Sequence, residues 1–222
     1  MLRLGCSNYA ILTSEVPSFL RFALENGFEV CEVFLLFGTY FFEEKREEIA
    51  RAIREAVREG LEVLAHATVD YLDLATPVDR VRQVSIDVLK RGISFAGEVG
   101  ISTVTIHPPI YRGTFRDFTR EEFKARALMG FAELAEEAET RGVKLAVENT
   151  SLKAYPARVS EFEELFSTVK FKNLGLTLDV GHAFITHLSG GDPLHLFLER
   201  LKGKLFNVHL HDNRGRRDEH LP

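Results

Sequence analysis

The chain has 222 residues, 45% of them apolar and 27% charged, which is enough for one sizeable α/β domain and ordinary for a globular protein. Its net charge of −5 gives no global drive toward nucleic acid or a membrane, and no apolar run approaches membrane-spanning length. The two cysteines, Cys6 and Cys31, form no metal-type pair and read as reduced residues of a cytoplasmic protein, while 18 Phe and no Trp carry the aromatic volume.

Strand-like and helix-like segments alternate from the start, with no secretory pattern ahead of them and no domain boundary among them. Residues 2–6 read as a first strand, 15–26 as a helix closed by Gly27, and 29–36 as a second strand. The uncharged aromatic stretch Phe37-Gly38-Thr39-Tyr40-Phe41-Phe42 suits a lid over a small substrate or a contact in a homo-oligomer. Residues 43–59 place Ile49, Ala52, Ile53, Ala56 and Val57 on one helical stripe, and Gly60 stands at its end. The third strand is 61–66. Thr76-Pro77 is expected to cap and open the next helix, which Gly100 ends.

A fourth strand over 101–107 runs into Pro108-Pro109. Thr119 and Glu122 form a capping box with Phe118 and Phe123 as its staple, and Gly142 closes that helix before strand five at 143–148. Ser160 with Glu163 is expected to repeat the box. Strand six spans 174–179, Asp192-Pro193 starts a sixth helix, and strand seven spans 205–209. No strand is followed by a Gly-rich phosphate loop. The expected fold is therefore a (β/α)8 TIM barrel over residues 1–222, a single domain whose final βα unit is missing from this chain.

Five of the apolar runs end on a residue able to bind a metal: His66, His107, Glu148, Asp179 and His209. A barrel gathers the C-terminal ends of its strands around one mouth, so two carboxylates and three imidazoles would converge there. That is a ligand set for a divalent metal such as zinc, manganese or cobalt. Taken singly, each has a plainer reading. Glu148 would pair with a nearby Arg or Lys, Asp179 would cap a loop, and His66 and His107 would be satisfied barrel histidines. His209 and His211 flank Leu210, and one of the two is expected to face the axis; His209, level with Glu148 and Asp179, is the better ligand. His182 lies three residues after Asp179, and Asp218 and His220 form a D-x-H pair. His187 and His195 read as surface residues.

The segments ENT at 148–150, LDVGHAF at 178–184 and VHLHDNRGRRDEHLP at 208–222 resemble the xylose-isomerase-like TIM-barrel superfamily, over nearly the whole chain in order and spacing. That group includes sugar and cyclitol isomerases and epimerases and the endonuclease IV branch (AP endonuclease family 2). For the sugar branch the resemblance implies a metal on Glu148, Asp179 and His209, with a fourth ligand, a strand-eight Glu, that has no counterpart in this sequence. Glu148 would double as acid/base and His182 would orient a substrate hydroxyl. By their chemistry, Arg217 with Arg214 and Arg216 could hold a phosphate or polyol oxygen, while the plainer reading of three arginines in a loop is a solvated surface.

For the endonuclease branch the resemblance implies further metal ligands at His66, His107, His182, Asp218 and His220. That branch reads C-L-D-T-C-H and H-x-N-D-S-K, however, where this chain has Thr177-Leu178-Asp179-Val180-Gly181-His182 and His209-Leu210-His211-Asp212-Asn213-Arg214. The expected activity is a metal-dependent sugar or cyclitol isomerase or epimerase, working by proton transfer beside a carbonyl through an enediolate. A zinc phosphodiesterase on abasic DNA and a non-catalytic barrel are the alternatives, and nucleic acid ranks behind sugar as a partner.

Overall fold

Seven parallel strands lie side by side in chain order, β1 to β7, each joined to the next through helix. The computed structural model describes residues 3–8, 15–67, 72–113 and 117–221. The strands are β1 Gly5–Ser7, β2 Val30–Leu35, β3 Glu62–Ala67, β4 Thr103–Ile106, β5 Lys144–Glu148, β6 Leu174–Asp179 and β7 Leu205–His209. The helices are α1 Val16–Glu25, α2 Tyr40–Arg58, α3 Asp79–Val99, α4 Arg120–Arg141, α5 Val159–Thr168, α6 Val180–Leu188 and α7 Leu194–Leu201. Leu2, expected to open the first strand, and Pro222 lie outside the described residues.

Side-chain contacts across the axis show that the sheet is curled. Thr105 of β4 donates its hydroxyl to Glu32 of β2 (3.1 Å) and meets the Thr177 hydroxyl of β6 at 2.9 Å. Asn207 of β7 donates to the same Glu32 oxygen at 3.2 Å. In a flat sheet β2 and β7 would stand about 24 Å apart, five strand spacings. Glu32, Thr105 and Thr177 come from alternate strands, as a layer inside a TIM barrel does. The described residues thus form seven strands of a TIM barrel joined by six helical connections, with the apolar core between the strands and the surrounding helices. Phe19, Phe123, Phe131, Phe162 and Phe197 are fully buried there.

Local chemistry accounts for most helix ends. The Thr119 hydroxyl accepts the Glu122 amide (3.2 Å) while the Glu122 carboxylate accepts the Thr119 amide (2.8 Å), and Phe118 packs edge-on against Phe123. Gly100 and Gly142 end α3 and α4 with left-handed backbone at φ 89° and 68°. Three expectations fail. Thr76-Pro77 does not open α3, because Asp73 and Thr76 turn the chain first by accepting the amides of Ala75 and Val78, and Arg126 holds the Thr76 carbonyl. The helix then starts at Asp79.

Ser160 does not cap α5, since the helix begins one residue earlier. Glu161 accepts the amides of Ala157 and Arg158, and Asp192 accepts that of Val159. Asp192 therefore caps a different helix from the one it was expected to open. Last, α2 starts at Tyr40, because Thr39 accepts the Phe42 amide. Phe37 and Phe42 consequently pack with Phe95 in the core, leaving Tyr40 and Phe41 as the exposed part of the suspected lid. Among the described residues no helix is long and apolar enough to cross a membrane.

Candidate metal centre at the barrel mouth

Glu148, the last residue of β5, is 2% exposed and stands at the centre of the site. One carboxylate oxygen, Oε2, faces His66 Nε2 at 3.0 Å, His107 Nε2 at 3.3 Å and His209 Nδ1 at 3.5 Å. The other, Oε1, faces His182 Nδ1 at 3.1 Å. These imidazoles come from β3, the residue just past β4, the end of β7 and the first turn of α6. No Arg or Lys reaches Glu148 among the described residues, so the plain strand-end pairing considered for it is not what the fold builds.

Asp179, 1% exposed, is both the end of β6 and the cap of α6: its Oδ1 accepts the His182 amide at 2.6 Å. Asn149 holds the Asp179 backbone in a two-way pair, accepting its amide at 2.7 Å and donating to its carbonyl at 2.9 Å. Oδ2 of Asp179 faces His211 Nε2 at 3.0 Å and His209 Nδ1 at 3.7 Å. Both strand-seven histidines therefore turn inward, against the expectation of one. Residues two apart on an extended chain share a face, and the expectation misapplied that period.

The chain beyond β7 folds back through a two-bond bridge between Asp212 and Leu221. This return brings Asp218 over the mouth, where its Oδ2 lies 3.0 Å from His182 Nε2 and 3.1 Å from His220 Nε2. His220 stacks on His211 with ring centroids 4.1 Å apart. Three sets of side chains offer ligand atoms within 4.8 Å of one another: His66, His107 and Glu148; Glu148, Asp179 and His182; and His182, His211, Asp218 and His220. Arg217 is exposed and makes no ion pair among the described residues. His187 and His195 are exposed as well.

The charges are settled by mutual pairing. Burial pushes the Glu148 carboxyl up, but hydrogen bonds from His107, His182, His209 and His66 hold it well below the usual range. Burial lowers His209, and the charge of Glu32 with bonds from Glu148 and Glu32 carries it well above an ordinary imidazole. His182 is likewise desolvated, yet Glu148, Asp179 and Asp218 raise it to about 9. Burial would raise Asp218 too, and the His182 bond and surrounding imidazoles lower it. Two buried carboxylates neutralised by imidazoles alone form a donor set that a divalent metal fits, since it would take over the role of the imidazole protons.

Sequence reasoning missed Glu32, buried on β2 beneath His209, and it placed His211 wrongly. Glu32 had a signal: it is the one charged residue within the run VCEVFLLF.

Comparison with known proteins identifies the family. The family model for the xylose isomerase-like TIM barrel matches residues 20–222. A crystal structure of a D-tagatose 3-epimerase-like protein is 26% identical and superposes with a TM-score of 0.82, covering 99% of this chain and 79% of that one. The uncharacterized protein MJ1311 of Methanocaldococcus jannaschii is 27% identical over 99% of this chain and 74% of its own length. A probable endonuclease 4 of Aquifex aeolicus is 26% identical over 89% of this chain and 74% of its own. The chain belongs to the xylose isomerase-like TIM-barrel family.

Proposed function

We propose that the protein is a divalent-metal-dependent sugar or cyclitol isomerase or epimerase that moves a proton on the carbon beside a carbonyl. The observation that carries this reading is the buried Glu148 carboxylate, with three imidazoles around one of its oxygens and no Arg or Lys partner among the described residues. Glu148, Asp179 and His209 would hold the metal, and His66, His107, His182, Asp218 and His220 are additional ligand candidates. Bound there, manganese, zinc or cobalt would supply Lewis acidity toward adjacent carbonyl and hydroxyl oxygens of a ketose, aldose or inosose.

The remaining chemistry belongs to the chain. Glu148 is ionised at neutral pH and so is available to accept the proton from carbon. His182 is protonated at neutral pH, with Nδ1 donating to the Asn149 carbonyl (3.0 Å) and Nε2 to Asp218. Exchanging Asp218 for a substrate hydroxyl at Nε2 would let it orient that hydroxyl. Arg217, exposed beside Asp218, would meet a polyol or phosphate oxygen.

The relative named as D-tagatose 3-epimerase-like supports the sugar reading. A second reading, multi-metal hydrolysis of phosphodiesters, is favoured by the adjoining His182, His211, Asp218 and His220 group, which shares His182 with the Glu148–Asp179 set, and by the endonuclease 4 relative. The test is elemental analysis of chelator-free protein together with deuterium exchange from heavy water into ketoses and inososes, followed by NMR. One metal per chain with exchange at the carbon beside the carbonyl is the expected result. Two or three zincs per chain with cleavage of abasic DNA and no exchange would overturn it.

A further inference from the structure

Glu32 is a carboxylate on the barrel axis, 8% exposed, on the opposite side of His209 from Glu148. Its Oε2 lies 2.7 Å from His209 Nε2. Its Oε1 accepts the Thr105 hydroxyl and the Asn207 amide, and Thr105 is itself tied to Thr177. His209 and Asn207 of β7 and Thr105 of β4 thus fix Glu32 in place, with Thr177 of β6 braced behind Thr105, and no Arg or Lys reaches it among the described residues. The other nitrogen of His209, Nδ1, faces Glu148 Oε2 at 3.5 Å and Asp179 Oδ2 at 3.7 Å.

A ring nitrogen 2.7 Å from an ionised carboxylate has to carry a hydrogen, because two lone pairs at that distance repel. The opposite nitrogen is then free to offer its lone pair once a metal has displaced any proton there. We propose that Glu32 is a positioning residue, holding His209 as the Nε2–H tautomer so that Nδ1 is directed at the Glu148–Asp179 pair as a metal ligand. A carboxylate behind a ligating histidine fixes ring orientation and raises ligand basicity. The Thr105–Thr177 contact and the Asn207 amide stop Glu32 from swinging away. The inference rests on the reading of His209 as a ligand, so its test separates the two.

Cobalt(II) titrations followed by visible absorption would compare the wild type, Glu32→Gln, His209→Ala and the double variant, each checked for fold by circular dichroism. Glu32→Gln is expected to weaken cobalt binding about 10- to 100-fold. In the His209→Ala background the same change should weaken it no further, because Glu32 acts through that ring. An equal loss in both backgrounds, or no loss in the wild-type background, overturns the role of Glu32 while leaving His209 a ligand. Cobalt binding that His209→Ala leaves intact overturns the reading of His209 itself. Long-range ¹⁵N–¹H correlation of the imidazoles in wild-type protein loaded with zinc needs no variant. A His209 ring protonated on Nε2 and bound through Nδ1 is expected, and the reverse assignment refutes the proposal even if Glu32→Gln does not fold.

Discussion

Replacing Gly181 with alanine sets helix stability against the placement of His211. Gly181 is the second residue of α6 and does not have a left-handed backbone, so helix propensity by itself favours alanine by up to about 1 kcal/mol. A Cβ there, however, would lie 2.1 Å from His211 Cε1 and 2.6 and 2.7 Å from its two nitrogens. Carbon atoms rest at about 3.5 Å or more, so the ring must retreat by about 1.4 Å. His220 stacks on this ring, and the His211 Nε2 sits 3.0 and 3.1 Å from the two Asp179 oxygens. A retreat of that size breaks the contact, and a lost hydrogen bond to a charged group costs about 1.5–3 kcal/mol. The net expectation is destabilisation by about 1–2 kcal/mol in metal-free protein. With His211→Ala already in place the obstacle is gone, and Gly181→Ala should stabilise by up to about 1 kcal/mol. Urea denaturation of the four proteins in this double-mutant cycle measures the coupling. Equal effects of Gly181→Ala in both backgrounds would refute the steric argument.

Other perturbations probe the site and its supports. His182 titrates at about 9 in the folded chain against 6.5 unperturbed, so the stability it contributes is complete below pH 6.5 and lost as pH rises through 9. Thermal melts in chelator should therefore show a falling midpoint across that window, and a flat profile would contradict the assignment. Thr105→Val removes a donor to buried Glu32 and should cost about 1–3 kcal/mol in denaturant titrations, whereas wild-type stability would mean that Glu32 is satisfied without it. Thr119→Ala should cost about 1 kcal/mol through the lost cap of α4 and leave zinc affinity unchanged; an altered affinity would show that α4 communicates with the mouth.

The strand ends were legible because an apolar run that stops on a polar residue marks both the end of burial and the place where barrel strands converge. β6 and β7 fall where their runs do, and His66, Glu148, Asp179 and His209 gather at one mouth. Helix α6 was not legible, since Val180, Ala183, Phe184 and Ile185 resume the apolar composition of β6 directly after Asp179. Glu32 escaped because a charged residue in a strand is ordinarily turned to solvent. Its inward direction follows from alternation with Cys31 and Val33, which are buried toward the helices, and is informative only once the sheet is known to curl. Asp218 and His220 reach the site through the Asp212–Leu221 bridge, a contact with no local signal in sequence.

The segment from Asp179 to His182 shows how one piece of helix chemistry can build half of a site. A helix cap bonds to the amide three residues on, and Asp179 does so to His182 at 2.6 Å. That bond turns strand into helix within one residue and fixes the spacing of the D-x-x-H motif. It also sets the His182 ring beside Glu148, with Nδ1 at 3.1 Å from that carboxylate. The capping oxygen is Oδ1, so Oδ2 remains turned toward His209 and His211. Between the two ends of the motif, Gly181 leaves the space that the His211 ring fills. The Asp179 carboxylate therefore has a structural task that survives loss of metal, and its replacement by asparagine, which can still cap, separates that task from ligation. Asp179→Asn should keep α6 helical by circular dichroism while lowering zinc affinity at least tenfold, and the lost charge pairing with His211 should cost metal-free protein about 1.5–3 kcal/mol. Loss of helix and affinity together would show that the charge, and not the cap alone, holds β6 to α6.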